Sequence, residues 1–173
     1  MSEYAACVRK ATDIRLGESE RKEAFSELVR RFQDMAYASA LGILGDTMSA
    51  EDAVQDAIIS AWRHLDGLRN PEAFPSWLRR RVIWRCWYYR RTSANTTSFP
   101  DELIDQMPDG VDLESDVALS DQNERIRNLI EALPRNAREI LTLHYLKEYS
   151  HTEIADFLNM PEGTVRKRLH DAR

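Results

Sequence analysis

The densest set of chemically informative residues lies between Arg69 and Arg91, where seven arginines accompany a single acid, Glu72. Six aromatic residues are interleaved with these arginines: Phe74, Trp77, Trp84, Trp87, Tyr88 and Tyr89. Arginine cations bind phosphates and aromatic rings stack on unpaired bases, so the combination is typical of single-stranded nucleic-acid binding. The alternative is an ordinary core helix. Because six aromatic rings cannot all be exposed cheaply, we assign Trp77 and Trp84 to the core and leave the other rings as candidates for DNA contact.

A second basic cluster lies in residues 150–173, which have the pattern of a helix-turn-helix. Ser150 and Glu153 form a capping box, Asn159 stands where the turn needs a left-handed residue, and Pro161 sets the first turn of the next helix. Val165 and Leu169 lie on one inner face of that helix, which leaves its basic residues outside. A short basic helix beside a partner helix suits the major groove of DNA. The alternative is a helical hairpin with a solvated basic face.

Residues for enzyme chemistry are not grouped in this sequence. It has no glycine-rich phosphate loop, no His-Glu-x-x-His motif and no Cys/His cluster, and Cys7 and Cys86 are isolated from each other. We therefore predict a protein that is not an enzyme and has no cofactor or metal. No apolar run approaches the roughly 20 residues of a membrane span, and the N-terminus has no signal-peptide core. These features predict a cytoplasmic protein without membrane insertion.

The net charge of −5 argues against nucleic-acid binding until it is counted by segment. Residues 1–99 hold 15 basic and 13 acidic side chains, and residues 125–173 hold nine basic and seven acidic ones. Residues 100–124 hold nine acids and no lysine or arginine. The acidity is thus confined to one central stretch, and the slightly basic flanks are the parts expected to contact nucleic acid.

Helical periodicity dominates on both sides of that stretch and predicts an all-α fold of two small helical domains joined by a flexible acidic linker. The predicted domains span 1–91 and 119–173, with the linker at 92–118. In the first domain, a helix containing Phe25 and Leu28 should stop near Gly42–Gly45. Asp46 or Ser49 can cap the next helix, with Ser49 and Asp52 in capping-box positions. A loop over 68–76 should precede a third helix from about Ser76 to Arg91.

Several segments, in this order and spacing, resemble the extracytoplasmic-function (ECF) sigma factors of the sigma-70 superfamily. The resemblance runs from about residue 20 to the end of the chain. It is carried by Glu23–Val29, by the acid-rich helix Ser49–Trp62 with its closing Ala-Trp, and by Phe74–Leu78 with the form Phe-x-x-Trp-Leu. In the C-terminal part it is carried by Leu133-Pro134, Ile154-Ala155 and Pro161–Leu169.

The resemblance implies a sigma factor that binds core RNA polymerase, recognises and melts a promoter and so initiates transcription. One face of the acid-rich helix would bind the polymerase: Glu51, Asp52, Gln55 and Asp56. The loop 68–76 and the following helix would hold the single-stranded −10 element: Arg69, Asn70, Phe74, Arg79, Arg80, Arg81, Arg85, Tyr88, Arg90 and Arg91. The second helix of the helix-turn-helix domain would read the duplex −35 element: Thr164, Arg166, Lys167, Arg168, His170 and Arg173.

Other expectations stay open at this point. In the family the linker threads the polymerase channel that nascent RNA later uses, so the acidic stretch would imitate RNA there, while its composition alone favours an ordinary solvated tether. The resemblance leaves open an anti-sigma factor as a partner. The family commonly continues past the position of Arg173, which leaves open an additional C-terminal domain. The alternative function is a helix-turn-helix DNA-binding regulator that does not engage core polymerase.

Overall fold

The computed structural model describes residues 2–91, 139–141, 143–144 and 149–171, and every regular element in these ranges is helical. The helices are α1 (Glu3–Thr12), α2 (Glu18–Leu44), α3 (Thr47–His64), α4 (Phe74–Arg91), α5 (His151–Leu158) and α6 (Glu162–Asp171). Two short 3-10 turns, Leu65–Gly67 and Pro71–Ala73, connect α3 to α4. The all-α prediction is therefore confirmed, and none of these helices is both long enough and apolar enough to cross a bilayer.

Other predictions fall on residues outside these ranges. They are the acidic linker 92–118, the Leu133-Pro134 step of the family resemblance, and the basic side chain of Arg173. For Arg91 the structure describes the backbone as the last residue of α4, and its side chain is outside the description.

Helix α2 carries the predicted apolar stripe, since Phe25, Leu28 and Phe32 are all buried. It ends where glycine permits a left-handed residue: Gly45 has φ 78° and its N–H donates to the Leu41 carbonyl at 2.9 Å. The predicted stop near Gly42–Gly45 is confirmed. The long stripe makes α2 the element against which the other N-terminal helices pack.

The start of α3 corrects one prediction. Asp46 is the cap, because its extended backbone places the carboxylate 2.8 Å from the Ser49 N–H, which donates to it. Ser49 is consequently the third residue of the helix, and the predicted capping box of Ser49 and Asp52 is wrong. Of the two caps that the sequence allowed, the acid directly after the left-handed glycine is the one used.

Small side chains hold α2, α3 and α4 close together. A buried cluster joins Ala36 and Ala40 of α2 to Ala53 and Ala57 of α3, and Val82 of α4 closes it. Helix axes approach more closely when the residues between them are small. This tight packing fixes the angle between α3 and α4, the two helices with most of the predicted functional side chains.

The C-terminal helices pack on the N-terminal ones. Ile140, Leu143 and Phe157 are fully buried in the same cluster as Val8 and Phe32. Helix α5 also lies against α4. The predicted domain boundaries fall outside the described residues, but the described part of the C-terminal region shares its core with α1, α2 and α4.

The turn between α5 and α6 has the predicted form. Ser150 accepts from the Glu153 N–H while the Glu153 carboxylate accepts from the Ser150 N–H, so the capping box is confirmed. Asn159 is left-handed, with φ 52° and ψ 50°. Val165 and Leu169 are buried on the inner face of α6 as expected.

The left-handed backbone of Asn159 predicts how substitutions there change stability. We expect Asn159→Ala to lower the free energy of unfolding by about 1 kcal/mol, because alanine lacks the short polar side chain that lets asparagine tolerate the left-handed conformation. Asn159→Gly should cost less, since glycine adopts it freely. Urea unfolding of both variants measures the difference. Equal stability of the alanine and glycine variants would contradict the role of the turn.

Candidate polymerase and nucleic-acid interfaces

The acidic face of α3 is exposed to solvent, because the opposite face of the helix is buried in the core. Glu51, Asp52 and Gln55 are exposed, and Asp56 is half-buried, while the neighbouring Ala53 and Val54 are buried in the core. Residues three and four apart share one side of a helix, so these four side chains form a continuous surface. The structure thus brings together all four residues that were predicted to bind the polymerase.

Two exposed apolar residues extend this face and were missed in the sequence. Met48 has 75% of its surface exposed and Ile59 has 43%. Positions 48, 52, 55 and 59 follow each other by steps of four, three and four, which places both apolar side chains on the acidic side of α3. That helical phase was the signal that could have found them. The face is therefore a mixed acidic and apolar surface, a composition suited to binding another protein.

Tyr89 ties this face to α4. Its hydroxyl donates to Asp56 Oδ2 at 3.0 Å. Burial, and then the neighbouring Asp56 carboxylate, raise the pKa of Tyr89 to about 12, so the phenol keeps its proton and remains a donor. Tyr89 of α4 consequently holds the Asp56 carboxylate in position.

The residues predicted to hold the −10 strand separate into exposed and buried groups. Arg69 and Asn70 are exposed in the connection before α4, where Asn70 Oδ1 also accepts from the Glu72 N–H at 3.1 Å. Four side chains of α4 are half-buried and keep part of their surface at the outside: Arg80, Arg85, Tyr88 and Arg90. Arg90 also donates to the Ile43 carbonyl at 3.3 Å. These six residues therefore keep some exposed surface, in the connection before α4 and along the helix itself.

Phe74 is corrected from a DNA contact to a core residue. Only 1% of its surface is exposed, and its ring lies 5.5 Å from that of Phe32 and 5.9 Å from that of Trp77, measured between centroids. Helix α4 begins at Phe74 itself, two residues before the predicted start. The Phe74 ring therefore lies in the core and offers no surface to DNA in this structure.

Arg81 is also corrected from a DNA contact to a core residue. Its side chain is fully buried, Nη1 donates to Ser60 Oγ at 2.8 Å, and Cζ lies 4.2 Å from the centroid of the Trp77 ring. Positions 74, 77, 78 and 81 share one face of α4, so this guanidinium is on the core stripe and packs on an aromatic ring there. Trp77 is buried as predicted, but Trp84 is only half-buried and stacks on Trp87 at 5.2 Å.

Arg79 is engaged by a residue from the C-terminal part of the chain. Its Nε and Nη2 donate to the two carboxylate oxygens of Glu139 at 3.0 and 2.8 Å, and Ser39 donates to the same carboxylate. Such a two-pronged pair is the strong geometry for arginine and carboxylate. In this arrangement Arg79 holds α4 to residues 139–141 and is not available to a phosphate.

Helix α6 presents the predicted duplex-reading residues on its outer side. Arg166, Lys167 and His170 are exposed, while Thr164 and Arg168 are half-buried. Arg166 pairs with Glu162 at 2.6 Å within the helix, an exposed pair worth little in stability. An added Cβ at Gly163 would meet no atom within 4 Å, so the outer face is open at its N-terminal end. A DNA groove can approach this side of α6.

Comparison with known proteins places the chain in a family. Residues 28–96 match the model of sigma-70 region 2, and residues 123–173 match that of sigma-70 region 4. The chain is 30% identical to the ECF RNA polymerase sigma factor SigW of Bacillus subtilis over 161 residues, covering 88% of this chain and 86% of that protein. It is 32% identical to the probable RNA polymerase sigma factor RfaY of Xanthomonas campestris pv. campestris, covering 88% of this chain but 39% of that protein.

Among solved structures, CnrH in complex with the cytosolic domain of CnrY has a similar fold. Its TM-score is 0.60 at 20% sequence identity, and the match covers 99% of this chain and 93% of CnrH. The helix order, the two family regions and the identity to SigW lead to one conclusion. The chain belongs to the ECF sigma factors of the sigma-70 family, which direct core RNA polymerase to promoters and start transcription there.

Proposed function

We propose that the three surfaces divide the work of a sigma factor among them. The acidic and apolar face of α3 binds core RNA polymerase. The surface formed by Arg69, Asn70 and the half-buried residues of α4 holds the displaced strand of the −10 element. The outer side of α6 reads the −35 element as duplex. One observation carries the proposal: partly exposed basic side chains of α4, exposed basic side chains of α6 and exposed acidic side chains of α3 lie on different helices that pack together.

The protein supplies binding free energy at each surface, and the catalytic chemistry belongs to the polymerase. Strand opening is then coupled to capture of the extruded bases, because unstacking is offset by stacking and phosphate contacts on α4. Arg79 joins that surface only after Glu139 has released it, so binding of the −10 strand competes with the packing of residues 139–141. This function would place the protein with RNA polymerase in the cytoplasm.

A protein partner fits the same surfaces. CnrH is in complex with the cytosolic domain of CnrY. We extend this to the present chain and propose an anti-sigma partner that covers the face of α3.

Single-round transcription tests the function directly. The promoter is first found by sequencing the transcript starts that appear when the protein is overexpressed. Purified protein added to core polymerase should then yield a transcript from that promoter, and core polymerase alone should not. A regulator that does not engage polymerase would give no transcript under these conditions, which would overturn the proposal.

The assignment of α6 has its own test. We expect Lys167→Ala to lower the affinity of the holoenzyme for a promoter fragment with the −35 element about fivefold or more, because each good base or phosphate contact is worth about 1 kcal/mol or more. Arg63→Ala, which removes an exposed arginine near the end of α3, is the matched control. Equal affinities of the two variants in a filter-binding or anisotropy titration would contradict the assignment.

A further inference from the structure

Helix α1 is outside the segments that resemble the family, yet it contacts the connection before α4. The Ser2 backbone N–H donates to Glu72 Oε1 at 3.0 Å, and the Ser2 hydroxyl donates to Glu72 Oε2. The Tyr4 hydroxyl donates to the Glu72 carbonyl oxygen at 3.2 Å. Three donors from the start of α1 thus converge on one residue of the Pro71–Ala73 turn, across about 70 positions of sequence.

Tyr4 is itself fixed to the core. Its ring meets that of Phe32 edge to face at 5.4 Å, and the Arg31 guanidinium lies 5.7 Å from its centroid. Phe32 in turn packs against Phe74, the first residue of α4. Burial raises the pKa of Tyr4, so the phenol stays protonated and able to donate. The Tyr4 hydroxyl therefore links the backbone of the Pro71–Ala73 turn to the core residues of α2.

Glu72 has a special place in this part of the chain because it is the single acid between Arg69 and Arg91. A free carboxylate beside a nucleic-acid strand repels its phosphates. The bonds from Ser2 lower the pKa of Glu72, so the group stays charged while its oxygens are turned toward α1. The neighbouring Asn70 uses its own side-chain oxygen to hold the Glu72 N–H at 3.1 Å. Residues 70–72 and the start of α1 thus form one hydrogen-bonded unit.

We infer that Ser2 and Tyr4 are positioning residues for the −10 strand: they fix the position of the Pro71–Ala73 turn relative to α1 and keep the Glu72 carboxylate away from the DNA. The inference rests on the proposed function of that turn in binding the strand. Neither residue needs to touch DNA. Their effect passes through the turn to Arg69 and Asn70, which are exposed beside it.

The experiment uses the full chain assembled with core polymerase. The probe is an oligonucleotide carrying the non-template −10 strand of the mapped promoter, together with versions in which each base in turn is replaced by an abasic site. The ratio of the two affinities measures how tightly the captured base is held. A loss of folded protein lowers both affinities alike and leaves the ratio unchanged.

The variant combines Ser2→Ala with Tyr4→Phe, which keeps the ring on Phe32 and removes two hydroxyl donors. We expect it to lower the abasic discrimination ratio about threefold to tenfold, the range for loss of one to two hydrogen bonds. Affinity for core polymerase should not change. Thr12→Val is the matched control, because its hydroxyl bonds the Val8 carbonyl within α1 and is remote from the turn. In the double variant the released Glu72 carboxylate should also lower the affinity for the intact oligonucleotide. Adding Glu72→Gln should recover this loss, because the released group then carries no charge.

The outcomes separate the inference from the function on which it rests. If the unaltered holoenzyme discriminates against an abasic site and the double variant discriminates equally well, the inference is overturned and the function of the turn stands. If the unaltered holoenzyme shows no discrimination at any position, base capture by this surface is overturned, and the inference with it. A parallel fall in affinity for both oligonucleotides and for core polymerase also overturns the inference, because it indicates a merely structural role for α1.

Discussion

Replacing Phe74 with alanine is expected to lower the free energy of unfolding by about 3–5 kcal/mol, the range for removal of a buried aromatic side chain. Phe74 is 1% exposed and lies between the rings of Phe32 and Trp77. The change removes most of a ring from a packed site and leaves a cavity that helices fixed by other contacts cannot easily close. Urea unfolding followed by circular dichroism measures the loss.

A matched control comes from an exposed residue in the N-terminal part of the chain. Ile14 is 84% exposed, so Ile14→Ala should change the free energy of unfolding by no more than about 0.5 kcal/mol. The measurement also decides between the two interpretations of Phe74. A variant of unchanged stability that fails to bind the −10 strand would restore Phe74 as a DNA contact and contradict its place in the core.

Parts of the fold with a local physical cause could be predicted from the sequence. The stripe of α2 follows from apolar residues at helical spacing, and the ends of helices at Gly45 and Ser150 follow from residues that supply a left-handed backbone or a side-chain cap. The turn at Asn159 belongs to the same group. Each depends on a few neighbouring residues, so the sequence contains the whole interaction.

The capping box at Ser49 failed although its cause is local, whereas the site predictions that failed concern side chains with partners distant in sequence. The residue type of Arg81 suggests a cation for DNA, although its position three residues after Leu78 and four after Trp77 puts it on the core stripe of α4. What allows it to be buried is Ser60, 21 positions away, together with the face of Trp77. The pairing of Arg79 with Glu139 spans 60 positions and has no local signal at all.

The contacts of the N-terminal residues also depend on residues that are distant in sequence. Residues 1–20 lie outside the family resemblance, and the sequence predicts no role for them. Their contacts with Glu72 become visible only when α1 is packed on α2. The candidate site could therefore be located from residue types and helical phase, but the residues that position it could not.

The second large effect concerns the acidic face of α3. We expect Asp52→Lys to weaken binding to core polymerase by about tenfold or more, which corresponds to about 1.4 kcal/mol. A surface that binds this face must be electropositive, so the change replaces an attraction with a repulsion between like charges. Asp52 is exposed and flanked by Glu51 and Gln55, whereas the core side of the helix is unaffected, so folding should be preserved.

Fluorescence anisotropy with labelled protein and unlabelled core polymerase gives the affinity, and repeating it at higher salt should reduce the difference, because exposed charges are screened over about 8–10 Å. Glu23→Lys is the matched control: it makes the same charge change at an exposed position of α2. Tyr89→Phe provides a graded third variant. It keeps the charge of Asp56 but removes the hydroxyl that orients it, so its effect should be smaller than that of Asp52→Lys and in the same direction. Equal weakening by Asp52→Lys and Glu23→Lys would mean that net charge alone governs binding, and the polymerase surface would then have to be sought elsewhere than on α3.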